Sequence, residues 1–288
     1  MFPSVGFTLK REFSAQFRSL QHDKPQEFVI SQWQGKRSKH CICSYLLYKW
    51  FVAVYLVSTL LIELIDFKNV SSPERVARTL KWPIHLTSWN TAVLTLQAVL
   101  SALLASKYHL SLSSFAASGA EMTRVHKAYW VAHNIANALS PAVSLLYWTT
   151  VYKSGEHSFD FLNVHKHLLN TVIVLVDLLV NSHPVRILHV YQPVMLGACY
   201  GIFSWMYYLC GGTSRDDQTK IYPVLDWQKP YVGLLTTAGA CALLVVIHTL
   251  IWVVHLARKR LARAVFPSAF AASAAVELCM TNTTAQVA

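Results

Sequence analysis

The chain has 288 residues, of which 54% are hydrophobic and 14% charged, with a formal net charge of +11. This composition is too apolar and too poor in charge for an ordinary soluble domain, and it predicts an all-α integral membrane protein. Basic segments beside a membrane attract anionic lipid, so the positive charge gives no reason to expect a nucleic-acid partner.

Apolar stretches recur along the chain at lengths close to the roughly 20 residues that cross a hydrocarbon core. They cover residues 45–65, 86–106, 128–152, 167–180, 187–210 and 231–254, and the fourth is the shortest. We therefore predict a polytopic membrane helix bundle of about six transmembrane helices.

Basic residues flank the predicted bundle at both ends. Residues 1–43 carry seven Lys and Arg side chains, and residues 258–263 carry four. The positive-inside rule then places both termini in the cytosol. We predict a cytosolic basic segment (1–43), a six-span domain (44–257) and a cytosolic tail (258–288) that is first basic and then flexible. The host would be the plasma membrane or the endoplasmic reticulum, and the first span would serve as a signal anchor.

Polar side chains inside the predicted spans are candidates for function. Asn170 and Asp177 lie about two turns apart on one face of the fourth span, where they mark either a functional site or pairing across the bundle. In the first span we expect Lys49 and Glu63 to snorkel to opposite interfaces. Arg186, before the fifth span, would contact lipid headgroups or pair with Asp177.

Other segments carry weaker signals. The basic, aromatic-containing residues 1–39 would lie along the inner leaflet or form a disordered arm. Residues 211–230 combine a Gly-Gly turn with aromatic residues, which favours a structural lid over the bundle; a docking surface for an opposing membrane is the alternative. The chain has no GxGxxG, phosphate loop or Cys/His metal spacing, so we expect no cofactor and no metal.

Several short strings resemble the rolling stone family of multi-span invertebrate membrane proteins. They are SQW (31–33), LLYKW (46–50), SPAVSLLYWTTVY (140–152), HPVRILHVYQP (183–193), and GGT (211–213) followed by IYPVLDW (221–227). The namesake of that family is linked to myoblast fusion. The resemblance therefore implies a non-catalytic role in cell fusion or muscle development.

A wider resemblance bears on chemistry. The segment KWPIHLTSWN (81–90) is similar to a stretch of the androgen-induced-gene family, membrane threonine hydrolases that cleave fatty acid esters of hydroxy fatty acids. It implies that Thr87 stands at the position of the nucleophile. The segment KHLLNT (166–171) is the best match to the second catalytic element of those enzymes. It keeps the first histidine as His167 but has Asn170 where they carry the base.

This substitution leaves three interpretations open, because a threonine nucleophile needs an adjacent base and a carboxamide is not one. His167 could act as the base for Thr87, with Asn170 as an oxyanion donor. A site lined by Asn90, Asn170 and Thr171 could bind a fatty-acid-type lipid without cleaving it. Thr87 could also simply satisfy backbone amides at a helix start.

We favour a non-catalytic membrane protein whose bundle core binds lipid. The alternative is a threonine-type lipid ester hydrolase with a rearranged site. A transporter is a third hypothesis, although no inverted repeat supports it. All versions of a shared site require Thr87 and His167 to lie at similar depth, with Asp177 near the inner face and outside that site.

Overall fold

The computed structural model describes residues 12–33, 43–65, 76, 79–110, 122–152, 161–215 and 217–267. The main helices are α1 (Cys43–Ile65), α2 (Leu86–Leu110), α3 (Arg124–Leu146), α4 (Asn170–Val180), α5 (Tyr191–Leu209) and α6 (Pro230–Val265). Over these ranges there is no strand, and an isolated antiparallel bridge joins Ser31 to Asn181. The all-α prediction is confirmed.

Three of the helices, α1, α2 and α6, are long and apolar enough to cross a membrane. They identify a membrane protein. The count of six crossings stays a prediction, although each predicted stretch does contain a main helix. The last helix has 36 residues, or about 54 Å at 1.5 Å per residue, so it extends well beyond a hydrocarbon core of about 30 Å.

Helical structure at the third and fourth predicted stretches begins at least four residues before the apolar residues do. Helix α3 starts at Arg124, because the Thr123 side chain accepts a hydrogen bond from the His126 backbone amide and caps the helix. Helix α4 is preceded by a short helix, Phe161–Val164, and a π-helical turn, His165–Leu169. Both starts carry polar side chains, which hydropathy alone does not assign to a helix.

Small residues let the central helices approach closely. Ala98 and Ala102 of α2 pack against Ala136 of α3 and Val174 of α4 in one buried cluster, as expected where association depends on close packing. A second cluster joins α3, α4 and α6. Helix α3 is thus the centre of the bundle, and it contacts α2, α4, α5 and α6.

The amino-terminal segment packs onto one end of the bundle. Phe28 is 1% exposed and stacks on the His183 ring, with centroids 5.5 Å apart. The Ser31 hydroxyl donates to the Val180 carbonyl at 3.0 Å, and the Trp33 indole donates to the Leu179 carbonyl at 2.9 Å. These side chains satisfy carbonyls that the end of α4 leaves without helical partners. For residues 12–33, the expectation of a disordered arm is wrong, and their position along the inner leaflet stays a prediction.

The end of α6 lies at this same end of the bundle. The Arg258 guanidinium donates to the carbonyls of Leu178 and His183. The Arg186 guanidinium donates to the Ser19 carbonyl at 2.8 Å. The amino-terminal segment and the carboxyl-terminal part of α6 therefore meet around the exit from α4.

Candidate functional site: an apolar cleft beside Thr87

A cleft lies between α3, α5 and α6, and Thr87 lies at one end of it. The residues that line it are Leu86, Thr87, Leu139, Ala142, Val143, Leu146, Tyr147, Thr150, Val151, Gly197, Tyr200, Gly201, Tyr222, Val224, Leu225, Thr236, Thr237, Ala240 and Leu244. None of these described lining residues is charged. The cleft can therefore hold an apolar ligand with an uncharged or hydrogen-bonding end.

Hydroxyl groups gather at the Thr87 end of the cleft. The Tyr222 hydroxyl accepts a hydrogen bond from the Leu86 backbone amide at 2.9 Å and lies beside the Thr87 side chain. Tyr200 donates to the Ile84 carbonyl at 2.8 Å. Burial raises the pKa of Tyr222, so its hydroxyl stays protonated at neutral pH. This end offers polar groups at the start of α2.

The lid, defined as residues 211–215 and 217–229, covers this end of the cleft. Helix α5 ends at Leu209, and Gly211 just beyond it has a φ of +74°, the left-handed conformation that glycine adopts most easily. Beyond this turn, Leu225 and Trp227 are buried against Tyr200. The Trp227 indole donates to the Ser204 hydroxyl at 3.1 Å. The described loop thus has the packing of a structural lid.

Lys81 fastens the lid to the start of α2. Its ammonium donates to the Thr213 hydroxyl at 2.9 Å, the Ser214 carbonyl at 2.7 Å and the Asp217 carboxylate at 2.9 Å. The hydrogen bond from Lys81 lowers the pKa of Asp217. The pair is therefore present at neutral pH and is lost only when the pH falls through that lowered pKa.

The other predicted site residues lie across α3 from the cleft. The Ser140 hydroxyl donates to Asn90 Oδ1 at 2.9 Å, and the Thr171 hydroxyl donates to the Ser140 carbonyl at 3.0 Å. Asn90 and Asn170 are 0% and 1% exposed. Asn90, Ser140 and Thr171 thus form a polar contact between α2, α3 and α4. They do not line the cleft.

His167 borders the cleft through Tyr147. The two rings stack with centroids 3.4 Å apart and planes 5° apart, and Tyr147 is a lining residue. The His167 carbonyl accepts hydrogen bonds from the Ser144 hydroxyl and, at 2.9 Å, from the Trp148 indole. The π-helical turns at Tyr147–Val151 and His165–Leu169 bring these groups together.

Thr87 and His167 lie at the same depth in the bundle. Asn90 and Thr171 both hydrogen-bond to Ser140. Thr87 lies about one helical turn before Asn90, and His167 lies about one turn before Thr171. The Tyr222 hydroxyl lies beside the Thr87 side chain, and the His167 ring stacks on Tyr147. The structure thus brings Thr87 and His167 to one level.

His85 is the imidazole closest to Thr87 in sequence. Burial, reinforced by the positive charges of Arg215 and Lys166, lowers the pKa of His85 to about 4. Its ring lies edge-on to Tyr222 at 6.0 Å. At neutral pH this side chain is uncharged, so it adds no charge to the polar end of the cleft.

A buried ion pair between Lys49 and Asp177 lies outside the cleft, toward the end that carries the amino-terminal segment. The Asp177 carboxylate also accepts hydrogen bonds from Gln97 at 3.1 Å and from Asn181 at 2.8 Å. Lys49 is 2% exposed, so the expectation that it snorkels to the interface is wrong. Arg186, the partner proposed for Asp177, instead bonds to the amino-terminal segment.

Glu63 is buried at the opposite end of α1. Its carboxylate lies 3.6 Å from the Lys166 ammonium and accepts a hydrogen bond from the Trp82 indole at 3.3 Å. His165 lies 4.0 Å away and contacts the Tyr55 hydroxyl at 2.9 Å. The expectation that Glu63 snorkels is therefore also wrong. Helix α1 places one buried charge near each end of the bundle because both charges find partners there.

Two glycines of the cleft were not among the predicted site residues. A Cβ at Gly197 would lie 2.9 Å from Leu244 Cδ1, and one at Gly201 would collide with Thr237. Their spacing of four residues in an apolar helix is a known signal of close helix packing, which could have indicated the contact between α5 and α6. No group of three metal-ligating side chains occurs in the part of the chain that the structure describes.

A family model described as "Protein rolling stone" matches residues 4–278 of the chain. The chain belongs to the rolling stone family. It is 28% identical over 246 residues to Protein rolling stone of Drosophila melanogaster, which covers 82% of this chain and 85% of that protein. No solved structure matches the chain.

The strings that resemble the rolling stone family have definite places in this fold. SQW caps the end of α4, LLYKW contains Lys49, and GGT with IYPVLDW forms most of the lid. The family match extends beyond the resemblance at both ends, into residues that the structure does not describe.

Proposed function

We propose that this rolling stone family protein is a non-catalytic membrane protein that holds one fatty-acid-type lipid in the cleft beside Thr87. We propose further that it acts in cell fusion or muscle development, in the plasma membrane or endoplasmic reticulum, with both termini cytosolic. The observation that carries the lipid proposal is the lining of the cleft: apolar side chains along its length and hydroxyl groups at one end. Ligand pockets commonly combine an apolar lining with a few polar groups that fix the orientation of the ligand.

The residue at the position of the base supports a binding role over a catalytic one. Asn170 occupies the position at which the similar hydrolases carry their base, and it is buried on the far side of α3 from the cleft. His167 stacks on Tyr147. A ligand in the cleft would meet the hydroxyls of Thr87 and Tyr222.

A binding measurement with matched variants tests the lipid proposal. Ala240 of α6 lines the cleft, whereas Ala242 of the same helix is exposed. We expect purified native protein and Ala242→Trp to bind labelled palmitate equally, and Ala240→Trp to lose most binding because the indole fills the cleft. Equal binding by both variants, or none by the native chain, would refute the proposal.

Hydrolysis is the second candidate function, and the geometry that favours it is the shared depth of Thr87 and His167. General-base assistance is worth about 10² to 10⁴ in rate, so a fatty acid ester assay separates the two functions. We expect no turnover by the native chain or by Thr87→Ala. Native turnover that Thr87→Ala abolishes would make the protein a hydrolase, and Asn170→His tests whether a base at that position creates activity.

The cellular part of the proposal rests on family membership and has its own test. Depletion of the protein in fusing muscle precursor cells should reduce the number of multinucleate cells. Native protein should restore fusion, and so should Ala242→Trp, which leaves the cleft open. Normal fusion in depleted cells would contradict this role.

A further inference from the structure

The cleft has a polar end and an apolar floor, which gives any ligand a direction. Thr87 and Tyr222 form the polar end, whereas the residues deepest in the bundle are Leu139, Gly197 and Leu244. Leu139 and Leu244 belong to the main hydrophobic cluster and are 1% and 3% exposed. A chain that enters with its polar group at Thr87 would end against this floor.

The depth of the cleft corresponds to one leaflet. Along α6 the lining residues run from Thr236 to Leu244, which is about 12 Å at the helical rise per residue. Along α3 and its π-helical turn they run from Leu139 to Val151, or roughly 18 Å by the same rise. Half of a hydrocarbon core of about 30 Å is about 15 Å.

From this match we infer that the cleft selects lipids by the length of a single acyl chain, with Gly197 and Leu244 setting the limit. The inference rests on the proposed lipid-binding function and names the ligand class more closely: an unbranched single-chain lipid of one leaflet. Its end group would be a carboxylic acid or an ester that hydrogen-bonds to Thr87 and Tyr222.

Gly197 is suited to limit the length of the acyl chain because it has no side chain, which leaves space at the floor of the cleft. A Cβ there would lie 2.9 Å from Leu244 Cδ1 and 3.4 Å from Cys241 Sγ. The added atoms would occupy space at the floor of the cleft, or they would push the Leu244 side chain into that space. Gly239 of α6 provides a matched control, since a Cβ at that exposed position would meet nothing within 4 Å.

The experiment compares the binding of laurate, myristate, palmitate and stearate to purified native protein, Gly197→Ala, Gly197→Val, Leu244→Ala and Gly239→Val. One methylene in an apolar pocket changes binding by roughly 10- to 200-fold. We therefore expect the affinity of the Gly197 variants for the longest fatty acid that the native protein binds to fall at least about tenfold. Their affinity for shorter fatty acids should stay as in the native protein. Leu244→Ala should shift the preference toward longer chains, and Gly239→Val should retain the native profile.

The outcomes separate this inference from the proposal beneath it. If native protein binds no fatty acid, the proposed function fails. If it binds fatty acids but every variant keeps the native length profile, the lipid proposal stands and the length limit is refuted. Gly197→Ala, the smaller change, keeps the test valid if Gly197→Val does not fold, as judged by a melting temperature far below that of Gly239→Val.

Discussion

At the scale of single residues, the buried pair of Lys49 and Asp177 shows how this bundle accommodates charge. The carboxylate is surrounded by donors from α1, α2 and the exit of α4, among them Tyr48 and Gln97. Burying a charge without partners is very costly, whereas a paired and hydrogen-bonded charge is tolerated. The pair is thus best understood as a structural element of the bundle.

Removing one member of the pair should destabilise the protein more than removing both. Lys49→Met leaves the Asp177 charge buried, so we expect a loss of about 3 to 5 kcal/mol in unfolding free energy. The double variant Lys49→Met/Asp177→Asn leaves no charge and keeps the amide contacts, so it should recover part of that loss. Thermal unfolding in detergent, compared between the native chain and the single and double variants, checks this order of stability. A single variant as stable as the native chain would contradict it.

At the scale of elements, the lid connects the start of α2 to the polar end of the cleft. Lys81 holds three groups of the lid, and Tyr222 receives the Leu86 amide. A ligand that enters at this end would have to pass the lid. The strength of the Lys81 contacts should therefore influence ligand exchange and leave the apolar floor unchanged.

Lys81→Met should speed the release of a bound fatty acid. Hydrogen bonds to charged groups contribute about 1.5 to 3 kcal/mol, but Asp217 is exposed and its share is small. We expect release to become roughly three- to tenfold faster, since 1.4 kcal/mol corresponds to a factor of ten. Stopped-flow displacement of a fluorescent fatty acid measures the rate, with Lys229→Met, at an exposed lid position, as the control. Unchanged release would show that the lid does not limit exchange.

The helices themselves were largely predictable from the sequence, and the cleft was not. Hydropathy located α1, because its lipid-facing residues are uniformly apolar, but it could not show that Lys49 and Glu63 find partners inside. Those partners, Asp177 and Lys166, lie more than 100 residues away in the chain. Thr87 was identified by resemblance and does line the cleft. The spacing of Gly197 and Gly201 signals close packing of α5 against another helix, but it does not specify that Leu244 of α6 lies opposite Gly197 and forms the floor with it.

At the scale of the whole molecule, both described ends of the chain lie on one side. The segment 12–33 caps α4, and Arg258 of α6 bonds to the same region. An even number of crossings would produce this arrangement. The basic residues of both ends would then lie in the cytosol, and the lid would face the opposite side.

Epitope tags should reveal this topology. Tags fused at either terminus should be labelled only in permeabilised cells, whereas a tag inserted after the exposed lid residue Gln218 should be labelled on intact cells, or in the lumen if the protein stays in the endoplasmic reticulum. A terminal tag labelled on intact cells would mean that the crossings or their direction differ from the proposal.

Photoaffinity mapping tests the central claim, an acyl chain held in the cleft, most directly. Palmitate with a photoreactive group near its methyl end should label the floor at Leu139, Gly197 or Leu244 in membranes, and an excess of unlabelled palmitate should prevent this. A group near the carboxyl end should label the surroundings of Thr87 and Tyr222. Labelling confined to exposed faces, such as Val246 and Leu250 of α6, and insensitive to competitor would contradict the account.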